Sequence, residues 1–350
     1  MTQPELPKSA NMPQAPRLRW GVIGTGNFVA NYLVPAFRKA DGAVLLACAG
    51  TSESKAKALA AEHDIARAYA GYDKLLCDAD IDAVHIATPD GTHGEIVAAA
   101  LAAGKHVLCE KPMALTLEEA ELMRQACANS DRVTRVGFQI RLQPVMQRVK
   151  EIVQSGRLGD IRSITLERSA PVRPTGLSGW RASVETGGVL YGVGIHLLDL
   201  VQWFMTRRID EVFAYANPDR QSGVADQTIT IVAKMNDCQA ILRATNELPY
   251  CRNALNIEGT RGILTTSALR FADRFSLSLT TADGVEREEF NAEDAYVTQM
   301  NRFAADVARN GTSLATVDEG FQLVQVTQAV VRALYEYRSI AVWPADHPHR

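Results

Sequence analysis

From residue 18 onward, short apolar runs alternate with stretches in which apolar residues recur at helical spacing. The apolar runs are LRWGVIG (18–24), AVLLACAG (43–50), DAVHIAT (82–88), HVLCE (106–110) and RVTRVGF (132–138). The helical stretches between them are 27–40, 53–63, 92–103 and 116–129. Strands that alternate with helices predict βαβ units, in which helices cover both faces of a parallel sheet.

The pattern changes after a further helical stretch at 143–155. Runs with period-two alternation now follow one another: DIRSITLERS (160–169), DEVFAYA (210–216), QTITIVAKM (227–235), QAILRATN (239–246) and FSLSLTT (275–281). Helical stretches lie at 187–204, near 293–309 and at 317–337. Consecutive strands predict a mostly antiparallel sheet. The expected fold class is α/β, with an N-terminal Rossmann-type parallel sheet and a C-terminal α+β domain.

Length, composition and charge narrow the domain organisation and the class of partner. A chain of 350 residues exceeds the usual size of one core. We expect a flexible tail (1–17), a dinucleotide-binding domain (18–140) and a substrate-binding and oligomerisation domain (141–350). With 37 basic and 40 acidic residues, nothing indicates a nucleic-acid or membrane partner. The tail lacks the apolar h-region of a signal peptide, and no later segment has the roughly 18 apolar residues that span a bilayer. A soluble cytoplasmic protein is therefore expected.

The six cysteines show no CxxC spacing, and they are Cys48, Cys77, Cys109, Cys127, Cys238 and Cys251. This scatter indicates neither a zinc site nor a disulfide framework. We expect buried thiols in a reducing compartment and no bound metal.

The first apolar run ends in a glycine-bearing loop ahead of a helix. Glycines there let the backbone turn sharply and approach a pyrophosphate, which then rests on N–H groups at the helix N-terminus. The predicted dinucleotide contacts are Gly24, Thr25, Gly26, Asn27 and Phe28. The alternative is an ordinary tight turn, which Val29 favours because that position usually holds a smaller residue.

The tip of the second run, GTSESK, carries no acid before Glu53. NAD sites usually place an Asp or Glu there to bind the ribose hydroxyls. Hydroxyls and an ammonium suit a 2′-phosphate instead, so Thr51, Ser52 and Lys55 predict NADP, with NAD as the alternative. The lysines would otherwise be ordinary solvated helix residues.

A lysine follows the fifth apolar run, in the sequence EKP at 110–112. Ligands of open α/β sheets bind outside the carboxyl ends of the strands. The Lys111 ammonium would hydrogen-bond a sugar hydroxyl there and stabilise developing alkoxide charge. Taken alone the pair is weak evidence, because most lysines before a proline lie in turns.

One imidazole, His196, lies in the otherwise apolar stretch GGVLYGVGIHLLDLVQWF, which predicts a buried helix. Gly188, Gly192, His196 and Asp199 recur at helical spacing and are expected to line one small, polar face. With an ordinary pKa of about 6.5, an imidazole is suited to take a proton near neutrality. His196 is the predicted general base, and the alternative is a core histidine.

The chain resembles the glucose-fructose oxidoreductase/inositol dehydrogenase/MocA (Gfo/Idh/MocA) family from residue 18 on. The likeness rests on GVIGTGNFVA, ATPDGTHGEIVAAALAAGKHVLCEKPMALT, GWRASVETGGVLYGVGIHLLDL and the order of the two domains. It implies that Lys111 contacts substrate and that residues 110–112 bound the nicotinamide pocket, with a cis bond before Pro112. It also adds Thr88, Pro89, His93 and Glu110 to the cofactor contacts, although a structural role is favoured for His93.

Two parts of the family pattern differ or stay open. The family's motif has an aspartate four residues before the histidine, where this chain has Gly192, so a lower pKa is expected for His196. Asp199 is counted with the predicted substrate contacts, and it would orient the imidazole or serve as a structural acid. Trp180 and Arg181 resemble a substrate-side loop, and simple packing is the alternative for both.

These observations predict an NADP-preferring oxidoreductase that interconverts a hydroxyl of a sugar or cyclic polyol with its carbonyl. Lys111 and His196 would carry the chemistry. A dinucleotide-binding sensor without catalysis is one alternative, which Gly192 favours. Epimerisation or elimination with a tightly held cofactor is another. A homodimer or homotetramer through the C-terminal sheet is expected, because that sheet's open face needs cover.

Overall fold

A computed structural model describes residues 17–169, 179–249, 252–267 and 273–343. All but the last residue of the predicted tail (1–17) lies outside these ranges. No described helix is both long enough and apolar enough to span a bilayer.

The first layer is a parallel sheet in the order β3-β2-β1-β4-β5-β6. Its strands are β1 (Leu18–Ile23), β2 (Ala43–Gly50), β3 (Arg67–Ala70), β4 (Ala83–Ile86), β5 (His106–Cys109) and β6 (Thr134–Val136). Its helices are α1 (Val34–Lys39), α2 (Glu53–Glu62), α3 (Tyr72–Leu76), α4 (His93–Ala102) and α5 (Leu117–Ala128). The strand order reverses between β1 and β4, so a ligand-binding crevice is expected outside their carboxyl ends.

The second layer is a larger sheet in the order β14-β13-β12-β11-β7-β10-β9-β8-β15. Its strands are β7 (Ile161–Ser169), β8 (Glu211–Asn217), β9 (Thr228–Met235), β10 (Cys238–Thr245), β11 (Asn253–Gly259), β12 (Gly262–Thr266), β13 (Arg274–Thr281), β14 (Gly284–Asn291) and β15 (Ile340–Ala341). Strands β7 and β10 run parallel, and the other described pairs are antiparallel. The predicted fold class is therefore confirmed.

Among the described residues, four α-helices accompany the second part of the chain: α6 (Pro144–Gln154), α7 (Ile195–Met205), α8 (Ala295–Arg309) and α9 (Val317–Glu336). Helix α8 returns to the first sheet. The Phe303 ring lies 4.9 Å from the Trp20 ring, and Arg135 of β6 binds Asp306 at 2.9 Å. The segment 141–350 thus supplies part of the core around the first sheet.

Two predicted helices are interrupted by π-helical turns. The stretch predicted at 27–40 contains the π-turn Val29–Leu33 before α1. The stretch predicted at 187–204 contains the π-turn Leu190–Gly194 before α7. Hydrogen bonds from i to i+5 widen the turn, so residues four apart leave the common face that a regular helix gives them.

The cysteine prediction is wrong at one position. Cys48, Cys109 and Cys238 are buried and Cys127 is half-buried, whereas Cys77 is exposed at the end of α3. Cys251 lies outside the described residues.

The turn after β1 requires a glycine at one position and leaves space at another. Gly24 has φ +128°, and a Cβ there would lie 2.4 Å from the Ala87 carbonyl oxygen. A Cβ on Gly26 would meet nothing within 4 Å. Gly24 is therefore needed by the fold itself, whereas Gly26 keeps open space in front of the helix.

We predict that Gly24→Ala lowers the free energy of unfolding by about 1–3 kcal/mol, because it combines a left-handed backbone with a backbone clash. Gly26→Ala should stay within about 0.5 kcal/mol of the wild type. Urea denaturation of both variants measures the difference. Equal stabilities would contradict the geometry of this turn.

Candidate active site

Lys111 lies at the edge where the two parts of the chain meet. Strands β4 and β5 are parallel neighbours, so the residues that follow them emerge at the same edge of the sheet. The half-buried Lys111 side chain donates from Nζ to the carbonyl oxygen of Tyr191, 3.3 Å away. The Lys111–Pro112 bond is cis, as the family resemblance implies. An ammonium from the first domain thus reaches the π-turn that precedes His196.

His93 joins the two loops at this edge. Its Nδ1 lies 2.8 Å from the Pro112 carbonyl oxygen and its Nε2 lies 3.1 Å from the Thr88 carbonyl oxygen. The ring is fully buried, and burial lowers the pKa of His93. This geometry supports the structural role favoured above. The cofactor contacts predicted for Thr88, Pro89 and His93 stay predictions.

Glu110 turns its carboxylate into the protein. Its Oε1 lies 3.2 Å from Nε2 of His85, whose ring is fully buried. A Cβ on Gly137 would come within 3.0 Å of the same oxygen. The backbone of Glu110 therefore follows the edge while its side chain packs beneath it. Sequence reasoning missed His85, because its partner Glu110 lies 25 positions later in the chain and no local pattern links the two.

A carboxylate that the sequence analysis did not select lies beside Lys111. Asp90 follows β4 in the turn Asp90–Thr92 and is 6% exposed. Burial raises the pKa of Asp90 to about 7, against the opposing charges of Lys111 and Arg181. No described side chain donates a hydrogen bond to its carboxylate. The position right after a strand of the parallel sheet was the available signal.

A buried ion pair fixes the start of the segment that carries His196. The Asp226 carboxylate accepts a hydrogen bond from the Leu190 backbone N–H at 2.8 Å and binds the Arg220 guanidinium. Gly188 has φ +85°, and a Cβ there would lie 2.5 Å from an Asp226 oxygen. The segment can therefore begin only with a glycine at this point.

His196 lies deep in the protein. The residue is 2% exposed, and its ring stands nearly perpendicular to the Phe138 ring at 6.5 Å between centroids. The predicted roles of Lys111 and His196 remain predictions.

Asp199 is held by Arg141. The guanidinium donates to its carboxylate at 2.9 Å from Nε and 2.6 Å from Nη2. Of the two roles left open for Asp199, this geometry favours the structural one. Its substrate contact stays a prediction.

The four residues expected on one face do not share one environment, which corrects that prediction. Gly188 abuts Asp226, Asp199 binds Arg141, and Gly192 is exposed with nothing within 4 Å of a Cβ built on it. The π-turn between Gly188 and His196 is the cause, because it changes the angle between successive residues. Gly192 thus leaves open space beside the carbonyl that accepts from Lys111.

The predicted dinucleotide contacts in the first βαβ unit lie in two loops, the turn after β1 and the tip of β2. A Cβ on Gly50 would lie 2.8 Å from Cγ2 of Thr25, so these two loops pack closely. The Phe28 ring contacts Tyr32 and Tyr296, with centroids 5.8 and 5.6 Å away. The space over Gly26 and the helix that begins beside Asn27 fit a pyrophosphate.

The tip of β2 holds one exposed lysine without an ion pair. Ser52 caps α2 by accepting a hydrogen bond from the Lys55 backbone N–H. The Lys57 ammonium binds Glu53 at 2.6 Å. The Lys55 side chain is exposed and has no described partner. Thr51, at the same tip, is exposed too. This arrangement fits an anionic group near Thr51, Ser52 and Lys55.

The predicted substrate-side loop is described in part. Trp180 and Arg181 lie in the 3-10 turn Gly179–Ala182, and the Trp180 side chain is outside the described part of the structure. The charge of Arg181 lowers the pKa values of both Asp90 and Lys111. Arg181 therefore belongs to the electrostatic surroundings of this edge.

Two cavities lie elsewhere, around Arg141. Their volumes are about 460 and 120 Å³, and Arg141, Lys150, Trp203 and Glu319 line both. Neither is lined by Lys111, His196 or the glycine turn. We therefore place the candidate site at the sheet edge and not in these cavities.

Two family models match the chain in sequence. The model of an oxidoreductase family with an NAD-binding Rossmann fold matches residues 18–138. The GFO/IDH/MocA C-terminal domain model matches residues 146–265.

The chain is similar in sequence to several oxidoreductases, and similar in fold to oxidoreductases of known structure. An uncharacterized oxidoreductase of Rhizobium meliloti is 31% identical over 245 residues, covering 70% of this chain and 72% of its own. The 1,5-anhydro-D-fructose reductase of Ensifer adhaerens is 26% identical over 321 residues, covering 90% and 96%. The structure of an aldose-aldose oxidoreductase from Caulobacter crescentus, complexed with glycerol, aligns with a TM-score of 0.83 at 22% identity, covering 93% and 99%.

The sequence models, the relatives and the two-sheet architecture agree over nearly the whole described chain. The predicted family is therefore confirmed: the chain belongs to the Gfo/Idh/MocA oxidoreductases, with an NAD-binding Rossmann domain followed by the family's C-terminal domain.

Proposed function

We propose that this protein is an NADP-preferring oxidoreductase that interconverts a hydroxyl of a sugar or cyclic polyol with its carbonyl. The observation that carries the proposal is the Lys111 ammonium at the carboxyl edge of the parallel sheet, in contact with the Tyr191 carbonyl of the second domain. The similarity to a reductase of 1,5-anhydro-D-fructose supports a carbohydrate substrate.

The chemistry requires a hydride to leave carbon and a proton to leave oxygen. A bound nicotinamide would supply the hydride acceptor, or the donor in the reverse direction. Lys111 would donate a hydrogen bond to the substrate oxygen and stabilise its negative charge as the O–H bond breaks. His196 would take that proton on a ring nitrogen while the C=O bond forms, and would return it in reduction. Asp199 would have a structural role, since its carboxylate is bound by Arg141.

One observation favours a second candidate, a dinucleotide-binding sensor without turnover. His196 is only 2% exposed, whereas a general base must come within hydrogen-bond reach of its substrate. An assay for turnover of a sugar or polyol separates the two candidates.

We expect a panel of aldoses, ketoses and inositols to give a nicotinamide absorbance change with the wild-type protein. Lys111→Ala and His196→Ala should each lower kcat/KM by about 100-fold or more, because each removes a group that acts on the reacting oxygen. Lys39→Ala, an exposed lysine of α1, is the control and should match the wild type. Full activity in both site variants would place the chemistry elsewhere.

The preference for NADP rests on the tip of β2. An acid at this tip would repel a 2′-phosphate, and the sequence has Gly50, Thr51 and Ser52 there. Lys55 is an ammonium without an ion pair, whereas Lys57 is already bound by Glu53. Charge-assisted hydrogen bonds to a phosphate are stronger than those to a neutral hydroxyl.

Fluorescence titration should show tighter binding of NADPH than of NADH. Lys55→Ala should weaken NADPH binding by about tenfold, the effect of one charge-assisted hydrogen bond, and leave NADH binding unchanged. Lys57→Ala is the matched control, because its ammonium is engaged on the same helix. Equal affinities for the two dinucleotides in the wild type would refute the assignment.

The oligomer expected from the sequence is also proposed here. On the outer face of the second sheet, Val232 pairs across strands with Phe213 and with Ile241. Val232 and Ile241 are 40% and 45% exposed, which leaves an apolar row for a second copy to cover.

Sedimentation velocity should show a dimer or tetramer for the wild type. Val232→Lys combined with Ile241→Lys should shift it to monomer, because two charges would be buried without partners. Leu122→Lys, on α5 and 66% exposed, controls for the added charge. A monomeric wild type would overturn the proposal.

A further inference from the structure

Asp90 is a nearly buried carboxylate to which the proposed chemistry assigns no role. It lies in the short turn between β4 and α4. His93 contacts the carbonyls of Thr88 and Pro112, and so fixes this turn against the bond that follows Lys111. The backbone on either side of Asp90 is therefore fixed against the backbone next to Lys111 by contacts that do not involve the Asp90 side chain.

The charged and titratable groups around Asp90 come from each element beside it. They are Lys111, Glu110 and Cys109 at the end of β5, Arg181 in the turn Gly179–Ala182, and Tyr191 in the π-turn. Lys111 and Arg181 favour the ionised carboxylate, whereas Glu110 disfavours it. Glu110 itself is engaged by His85.

Lys111 is in a position that does not favour an ammonium. Burial lowers its pKa, and the charges of Arg168 and Arg181 lower it further. Asp90 is the strongest of the charges that oppose this, ahead of Glu110. A neutral Lys111 amine would lack both the positive charge of the ammonium and one of the protons that the ammonium can donate to a substrate oxygen.

We propose that Asp90 is a positioning residue that acts through Lys111, as the counter-charge that keeps this lysine an ammonium at the edge of the first sheet. The inference rests on the proposed role of Lys111 toward the substrate oxygen. It requires no bond to form or break at Asp90.

The structure also offers a second position for such a carboxylate. Gly192 follows Tyr191, whose carbonyl accepts from Lys111, and a Cβ there meets nothing within 4 Å. An aspartate at 192 would have room for its side chain, next in sequence to the residue that Lys111 contacts. Restoring the effect from this position would show that the charge matters, and not the packing of Asp90.

The charge state of Lys111 is measured without substrate or cofactor. Reductive methylation with ¹³C-labelled formaldehyde gives each lysine an NMR signal, and Lys111→Arg identifies the relevant one. The titration midpoint of Lys111 should move to lower pH in Asp90→Asn and stay unchanged in Asp131→Asn, an exposed aspartate. An unchanged midpoint in Asp90→Asn would overturn the proposal.

Thermal unfolding checks that the variant folds and that the carboxylate is buried. The pKa of Asp90 is about 7 in the folded protein, above its value of about 3.9 in an unfolded chain. The stability it contributes is thus complete below about pH 4 and is lost as pH rises through 7. The melting temperature of Asp90→Asn relative to wild type should rise between pH 5.5 and 8.5. A pH-independent difference would contradict this placement.

Activity then tests the consequence. Asp90→Asn should lower kcat/KM about tenfold or more at pH 8, and move the alkaline limb of its pH profile to lower pH. Asp90→Asn combined with Gly192→Asp should recover most of the loss and restore the limb. No recovery together with an unshifted limb would leave Asp90 a packing residue and refute the inference.

The two proposals fail in different ways. If the wild type turns over no sugar or polyol, the proposed function is wrong, and the Lys111 titration still decides whether Asp90 supplies the counter-charge. If turnover is present and the titration midpoint does not move, only the role of Asp90 is wrong.

Discussion

The guanidinium of Arg141 holds together the junction on which the candidate site depends. It binds Asp199 of α7 and Glu319 of α9, at 2.6 and 2.7 Å, and lies 5.5 Å from the centre of the Phe138 ring. Arg141 itself follows the last strand of the first sheet. Removing one member of such a buried network costs about 3–5 kcal/mol, because the remaining charges lose their partners. This network therefore fixes α7 and α9 to the segment that directly follows β6.

The position of His196 follows from that constraint together with a second ion pair. Asp226 and Arg220 fix the start of the segment at Leu190, and Arg141 fixes it again at Asp199. Between these points the chain contains a π-turn, which brings the Tyr191 carbonyl to Lys111. The imidazole is thus placed by contacts on both sides of it, and its exposure depends on how the two domains meet.

The local features of this fold were predictable, and the contacts between distant segments were not. Local sequence was enough to predict the glycine turn, the alternation around β1 to β6 and the lysine after β5. Strand β3 was missed because RAYA is four half-buried residues at the sheet edge. The π-turns, the inward Glu110 and the Arg141 network depend on partners tens to hundreds of residues away, and no periodicity encodes those partners.

The charges at the sheet edge also bear on which substrates the site suits. Lys111 and Arg181 are drawn together with the buried Arg168, and each of the arginines lowers the pKa of the lysine. Bringing like charges together is unfavourable unless negative charge is also present, and at Lys111 the carboxylates of Asp90 and Glu110 supply it. A positive charge in a partly buried site stabilises negative charge that develops on a substrate oxygen. A lysine that is held among these counter-charges suits the proposed contact with a substrate oxygen, because its own charge is kept while the site stays partly buried.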